Sequence, residues 1–379
     1  MATTTGTPGA AAKNPAGALT DIPGLRVGHA TRTGDGYLTG TTVVLAPPGG
    51  VITAVDVRGG GPGTKETDAL DPRNLVQRIE AIVLTGGSAY GLDAASGVMA
   101  WLEEQGRGVP VDPSDPARVV PVVPAAAVFD LGRGGDFTAR PDAATGRAAV
   151  LDAAGSEAGA PVEEGSVGAG TGALVGQLKG GVGTAATVLP SGITVAALVV
   201  ANAAGSGVDP RTGVLYGRYF EDPGDPQDPE APVLPAHPSP EIHAAATRRL
   251  AGLAAANGPA PLNTTLAVVA TDADLNRAQA QKLAGTSHDG MARAVRPVHL
   301  LNDGDTVFAL ATGERPLAEG NPLALNEILA AGADLVTRAI VRAMLAAGSA
   351  QTPGGTFPSY SELYGNNGTN GSNAPNSTN

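Results

Sequence analysis

Asn263-Thr264-Thr265-Leu266-Ala267-Val268-Val269-Ala270-Thr271 is the point where a stretch rich in proline, alanine and glycine gives way to a continuous apolar run. Residues 264–271 are β-branched or aliphatic and read as a buried strand. Upstream, 221–262 reads as an exposed, polyproline-like loop, with Pro223, Pro226, Pro229, Pro232, Pro235, Pro238 and Pro240 at nearly every third position. A threonine hydroxyl is a poor nucleophile at neutral pH without a base beside it. Cutting the chain just before Thr264 would supply one, since the freed α-amine, with a reference pKa of about 7.7–8.0, is held against its own hydroxyl. The triplet alone reads equally well as a loop ending at a strand entrance.

Composition narrows the classes. The chain has 379 residues, a net charge of −12 and only 3% aromatic residues, so its core is built from small and aliphatic side chains. With no basic cluster, nucleic acid and anionic membrane surfaces are not expected partners. The absence of cysteine removes disulfides, thiol catalysis and thiolate metal sites. His29, His237, His243, His288 and His299 lack metal-ligand spacing, so no metal or other cofactor is expected. Residues 1–18 are small and polar with Lys13 as their one basic residue, which points to a cytoplasmic protein.

Residues 1–18 and 352–379 read as disordered, leaving one domain over 19–351. Strands are expected at 41–45, 51–57, 81–85, 119–123, 193–200, 264–271 and 306–312. Helices are expected after Ser88, from Asp274 through Leu283 with a short continuation after Ser287, and from Pro322 to Ala347. The elements mix without strict alternation, which favours an α+β layered body over a barrel.

Several residues carry possible chemistry. Gly86-Gly87-Ser88-Ala89-Tyr90-Gly91 misses the nucleophile-elbow pattern by one position and is a glycine turn into a helix, either structural or facing an anion or carbonyl oxygen. Gly59-Gly60-Gly61-Pro62-Gly63 is a tight loop that would suit a cleft wall. Lys179, alone in a glycine-rich apolar neighbourhood, is a solvated loop residue or, if buried, a group near the nucleophile. Asn202 closes an apolar run as a turn former or as an oxyanion donor. Asp303-Gly304-Asp305 is a turn signal or a pair of carboxylates at the active centre.

Together these motifs, with Gly24-Leu25-Arg26-Val27-Gly28-His29, Thr39-Gly40-Thr41-Thr42-Val43 and Val55-Asp56-Val57-Arg58-Gly59-Gly60, resemble the N-terminal-nucleophile aminopeptidase/amidase family. That family includes the L-aminopeptidase D-Ala-esterase/amidases, the β-aminopeptidases and the 6-aminohexanoate-oligomer endohydrolases. The resemblance implies a four-layer αββα sandwich, self-cleaved between Asn263 and Thr264 into chains 1–263 and 264–379 that stay associated, commonly as a tetramer of such pairs. It implies Thr264 as nucleophile, Lys179 and Asn202 as the active-site lysine and oxyanion asparagine, and Asp303 and Asp305 as the acidic pair of the nylon-oligomer branch. Gly86, Gly87, Ser88 and Tyr90 become candidates for the substrate or oxyanion site. Phe129 stands where some members place a tyrosine hydroxyl; loss of one such donor costs about 2.7–4 kcal/mol of transition-state stabilisation. Asn-Thr and Asp-Gly-Asp draw the reading toward linear ω-amino acid oligomers, with release of N-terminal L-, D- or β-amino acids from small peptides as the alternative. A non-catalytic binding protein, and an acyl transferase of ornithine acetyltransferase type, are readings from other classes.

Overall fold

A computed structural model describes residues 17–220, 237–257, 262–319, 321 and 323–365. Two sheets form its centre. One runs in the order Arg26–Gly34, Tyr37–Leu45, Ala81–Thr85, Ala125–Ala127, Thr64–Lys65. The other runs Gly181–Val188, Thr194–Ala201, Leu266–Ala273, Thr306–Arg315, Val51–Val57, Arg78–Ile79.

Side-chain alternation along each strand builds the layers. Leu198, Val200, Leu266, Val268, Phe308 and Leu310 of the second sheet meet Val44, Ile82, Leu84 and Ala126 of the first in one cluster between the sheets. The intervening residues Val199, Ala267, Val269, Val307 and Ala309 face the other way, against Leu283, Met291, Val336 and Ile340 of the helices Arg277–Ala294 and Ala324–Ala346. On the far side Val43, Ala81 and Val83 pack on Val98, Leu102, Ala149 and Val150 of the helices Ala94–Glu104 and Ala143–Gly155. The result is helix, sheet, sheet, helix: the α+β αββα sandwich. The central strands Thr194–Ala201 and Leu266–Ala273 of the second sheet are buried on both faces, and so they read as nearly unbroken apolar runs.

Small residues let the layers close. A Cβ built at Gly290 would lie 2.2 Å from the Ala333 carbonyl oxygen of the neighbouring helix. For that reason glycine inside Arg277–Ala294 marks a helix contact, and the helix runs unbroken where the sequence suggested an interruption.

Other expectations need correction. Of the strand expected at 119–123 only Val119–Val120 forms, paired with Val109–Pro110 apart from the two main sheets; Pro121 and Pro124 cannot donate to a ladder, and the first sheet pairs through Ala125–Ala127 instead. Arg26–Gly34 and Gly181–Val188 are strands that polar or small residues concealed. Within the stretch read as loop, Pro240–Asn257 is a helix with proline at its first position, where a missing N–H costs nothing. Residues 221–236 and 258–261 lie outside the described residues. The disordered tail expected from 352 is corrected for 352–365: Gly355–Phe357 pairs with Ala350–Thr352, and Tyr360–Tyr364 is helical, because Phe357, Tyr360 and Tyr364 are buried. Residues 366–379 and 1–16 are not among those described, while Gly17 N–H already donates to Asp21 Oδ2 at 2.9 Å. Among the described residues no helix is long and apolar enough to cross a membrane.

Leu198 sits fully buried between the sheets, so Leu198→Ala should cost about 2–5 kcal/mol in urea unfolding. Val188→Ala, at a position 51% exposed on the same hairpin, should stay within about 0.5 kcal/mol. Equal losses would contradict the two-sheet core.

Candidate active site

Strand register decides which residues meet. Val200 pairs with Leu266 in the antiparallel ladder, and Leu266 pairs with Thr306 in the parallel one. Continuing both ladders past their last named pair brings the end of one neighbour, Asn202, and the start of the other, Asp303 to Asp305, alongside Thr264. The bonds are made: Thr264 N–H donates to Asn202 O at 2.8 Å, and Asn263 bridges in parallel to Asp303.

Thr264 is 4% exposed, and its hydroxyl donates to the carbonyl oxygen of Asn263 at 2.6 Å. The same oxygen accepts the Gly304 N–H at 3.1 Å, and Asn263 N–H donates to Asn302 O at 3.1 Å. Gly304 has to be glycine here, because a Cβ on it would stand 2.6 Å from Thr264 Oγ1. The Thr264 hydroxyl oxygen is thus held against the carbonyl preceding it, with a backbone donor already on the carbonyl oxygen.

Around this bond lie buried charges. Arg133, which sequence reasoning missed, donates through Nη1 to Gly172 O at 2.7 Å and Asn202 Oδ1 at 2.6 Å, and through Nη2 to Asn263 Oδ1 at 2.9 Å. Asn202 Oδ1 also accepts the Leu174 N–H at 3.0 Å. Two donors on that oxygen fix the amide's orientation and leave Nδ2 with a long 3.5 Å contact to Phe129 O. Phe129 itself offers only its ring and backbone. Asp130, also missed, accepts the Gly87 N–H at 2.7 Å, and burial raises its carboxyl pKa against the pull of that bond and of the Arg133 and Lys179 charges. Thus Gly86 and Gly87 join the site through Asp130, and Ser88, at φ 52°, turns the chain away into the helix. Tyr90 is exposed, with the Arg140 guanidinium 3.8 Å over its ring, and does not join the buried group around Thr264.

Lys179 is fully buried, and its Nζ donates to Thr171 O at 2.6 Å and Ala173 O at 3.1 Å. It therefore braces the segment that carries Leu174 N–H to Asn202. Burial lowers its amine to about 7, the Arg133 charge acts the same way, and Asp130 opposes both.

On the other flank Asp305 Oδ1 accepts the Thr265 N–H at 2.7 Å, while Oδ2 is paired with His299 Nδ1 at 2.7 Å. Burial raises the Asp303 carboxyl above its usual range; the Leu300 N–H on Oδ2 opposes this and the Asp305 charge adds to it. The glycine loop closes over the pair, with Gly61 N–H donating to Asp303 O at 2.7 Å. Of the missed residues, Asp130 and Arg133 had one visible signal: two charged residues in a glycine-rich turn just after an apolar run.

Comparison with known proteins places these features in context. The model of peptidase family S58 matches residues 17–357. An uncharacterised aminopeptidase of Mycobacterium bovis is 45% identical over 361 residues, covering 91% of this chain and 97% of its own. The 6-aminohexanoate-oligomer endohydrolase of Kocuria sp. is 30% identical over 304 residues, covering 78% of this chain and 74% of its own. Among solved structures, the L-aminopeptidase D-Ala-esterase/amidase of Ochrobactrum anthropi, described as a variant of the Ntn hydrolase fold, superposes with a TM-score of 0.66 at 23% identity over 94% of both chains.

The buried Lys179 amine has a stability signature. Its folded pKa lies below that of the unfolded chain, so between about 7 and 10.5 the unfolded state binds more protons. Stability from this group therefore rises with pH through that window and is lowest below it. Relative to Lys179→Met, the wild-type protein should gain urea stability from pH 7 to pH 10. A difference independent of pH would contradict a desolvated amine.

Proposed function

The chain belongs to peptidase family S58, and on that premise we propose that it is a self-cleaving amidase whose Thr264 becomes an N-terminal nucleophile. It is a hydrolase of peptide or amide bonds on an Ntn hydrolase fold. The observation that carries the proposal is the Thr264 hydroxyl, 2.6 Å from the Asn263 carbonyl oxygen inside a buried site. Attack by Oγ1 on that carbonyl moves the acyl group from nitrogen to oxygen, with the Gly304 N–H holding the developing oxyanion. Water then cleaves the ester, and the freed α-amine stays beside the Asn202 carbonyl that already accepts its N–H at 2.8 Å.

In turnover the amine takes the Oγ1 proton as Oγ1 attacks a substrate amide, then returns it to the leaving amine. Asn202 Nδ2, the loosely held end of an oriented amide, donates to the substrate oxyanion. Asp305 acts at one remove by fixing the Thr265 N–H, and Lys179 by bracing the Asn202 support. With Phe129 supplying no hydroxyl, Asn202 carries more of the oxyanion charge.

For the substrate, Asn263-Thr264 with Asp303-Gly304-Asp305 supports linear 6-aminohexanoate oligomers, as does the name of the Kocuria relative. The second reading, release of N-terminal residues from small peptides and amides, is favoured by the aminopeptidase relative at 45% identity. We further propose that the two cleaved chains remain together, that pairs associate as tetramers, and that the enzyme is cytoplasmic.

Thr264→Ala should remain a single chain on denaturing gels and hydrolyse nothing, whereas Thr264→Ser should still cut itself. Asn202→Ala, once processed, should lose about 10²–10³-fold in kcat with a smaller change in KM. Cleavage of Thr264→Ala at the same bond would end the proposal. Rates on aminoacyl anilides against linear 6-aminohexanoate oligomers decide between the two substrates.

A further inference from the structure

Asn263 is the first acyl group this enzyme handles, and the structure displays its seat. The residue's N–H is bonded to Asn302 O, and its carbonyl oxygen to Gly304 N–H. Its side-chain Oδ1 takes a hydrogen bond from Arg133 Nη2 at 2.9 Å. Arg133 is 8% exposed and is anchored independently through Nη1 to Gly172 O and Asn202 Oδ1, so the guanidinium does not need Asn263 to stay in place. Asn263 Nδ2, in contrast, is buried with no hydrogen-bond partner. Replacing that amide by a carboxylate would break no hydrogen bond of Nδ2, and would make the bond to Arg133 at Oδ1 a charge-paired one.

We infer that Arg133 sets the acyl-side specificity of the mature enzyme, which prefers amides of an aspartyl residue, then asparaginyl, over those of apolar residues. The inference rests on Thr264 as nucleophile and deepens the aminopeptidase reading. The ester formed in self-cleavage joins Asn263 to Thr264 Oγ1, and the ester formed in turnover joins the substrate's acyl residue to the same oxygen. In turnover the new C–O bond forms as the Oγ1 proton passes to the α-amine; the C–N bond then breaks as that proton goes to the leaving amine. Water later adds to the ester, giving its proton back to Oγ1 and its hydroxyl to the acyl carbon. When Asn263 withdraws after scission, Arg133 Nη2 is a buried donor without an acceptor. A carboxylate or amide oxygen at the same distance from the acyl carbon restores the bond. At that position a 6-aminohexanoyl group has only methylenes, and a leucyl group only methyls. Asp303 suits the other end of such a substrate: it is the bridge partner of Asn263 and keeps Oδ1 buried and unpartnered, facing the need of a free α-ammonium for a counter-charge.

The test uses purified full-length protein and L-aspartyl, L-asparaginyl and L-leucyl p-nitroanilides. For the self-cut wild-type enzyme, kcat/KM for the aspartyl compound should exceed that for the leucyl compound by about tenfold or more. Arg133→Met should bring the two to parity, mainly through KM, and Arg133→Lys should retain part of the preference. A second measurement does not depend on that variant folding: Asn263→Asp should cut itself at least as fast as wild type, and Asn263→Leu about tenfold more slowly. An enzyme cut at 263/264 that handles leucyl amides as well as aspartyl ones overturns this inference alone. A wild-type chain that never cuts overturns the nucleophile reading and this inference with it.

Discussion

The pairing of the strand Leu266–Ala273 with its two neighbours is the constraint on which everything else depends. One neighbour ends where this strand begins, and the other begins there, so Asn202 and the Asp303–Asp305 turn are delivered to Thr264 by backbone geometry. A slip of one residue would send Leu266 and Val268 to the helix side and expose the inter-sheet core to the wrong faces. Because both faces of these strands are buried, the register is strongly specified. The packing of Val268 and Phe308 between the sheets is thus also what holds a hydroxyl 2.6 Å from a carbonyl oxygen.

Burial shapes the chemistry as well as the fold. Arg133 ties three distant segments, at Gly172, Asn202 and Asn263, into one hydrogen-bonded group around the bond. In a site this dry, dipoles and charges act with little screening, which suits oxyanion stabilisation and makes each unpaired donor expensive. Burying Arg133, Lys179 and Asp130 together costs stability that the same volume of apolar side chains would not. The cluster makes sense as a device for orientation: Arg133 and Leu174 N–H fix one end of the Asn202 amide, and the other end has only the long 3.5 Å contact to Phe129 O.

Much of this was legible from the chain. The central strands of the second sheet announce themselves as apolar runs because they are covered on both sides, and Asn202, Asp303 and Asp305 stand out as polar residues at the ends of those runs. Gly181–Val188 was hidden because glycine and alanine have weak strand preference, and its place comes from an eight-residue ladder with Thr194–Ala201. The helix Pro240–Asn257 lacks a broad apolar stripe and begins in a proline series, so its periodicity was masked. Arg133 and Asp130 were the significant omissions. Their partners lie far away in sequence, Asn263 being 130 positions from Arg133, and no local pattern reports a contact of that range. Lys179 is conspicuous in the sequence for its isolation, but whether it lies in solvent or in the core is a question of tertiary packing.

Amino-terminal determination on the purified, matured protein tests the central claim most directly. The account predicts two amino termini, the smaller fragment beginning Thr264-Thr265-Leu266-Ala267. A single amino terminus belonging to one uncut chain, or a second one starting anywhere other than Thr264, would contradict it.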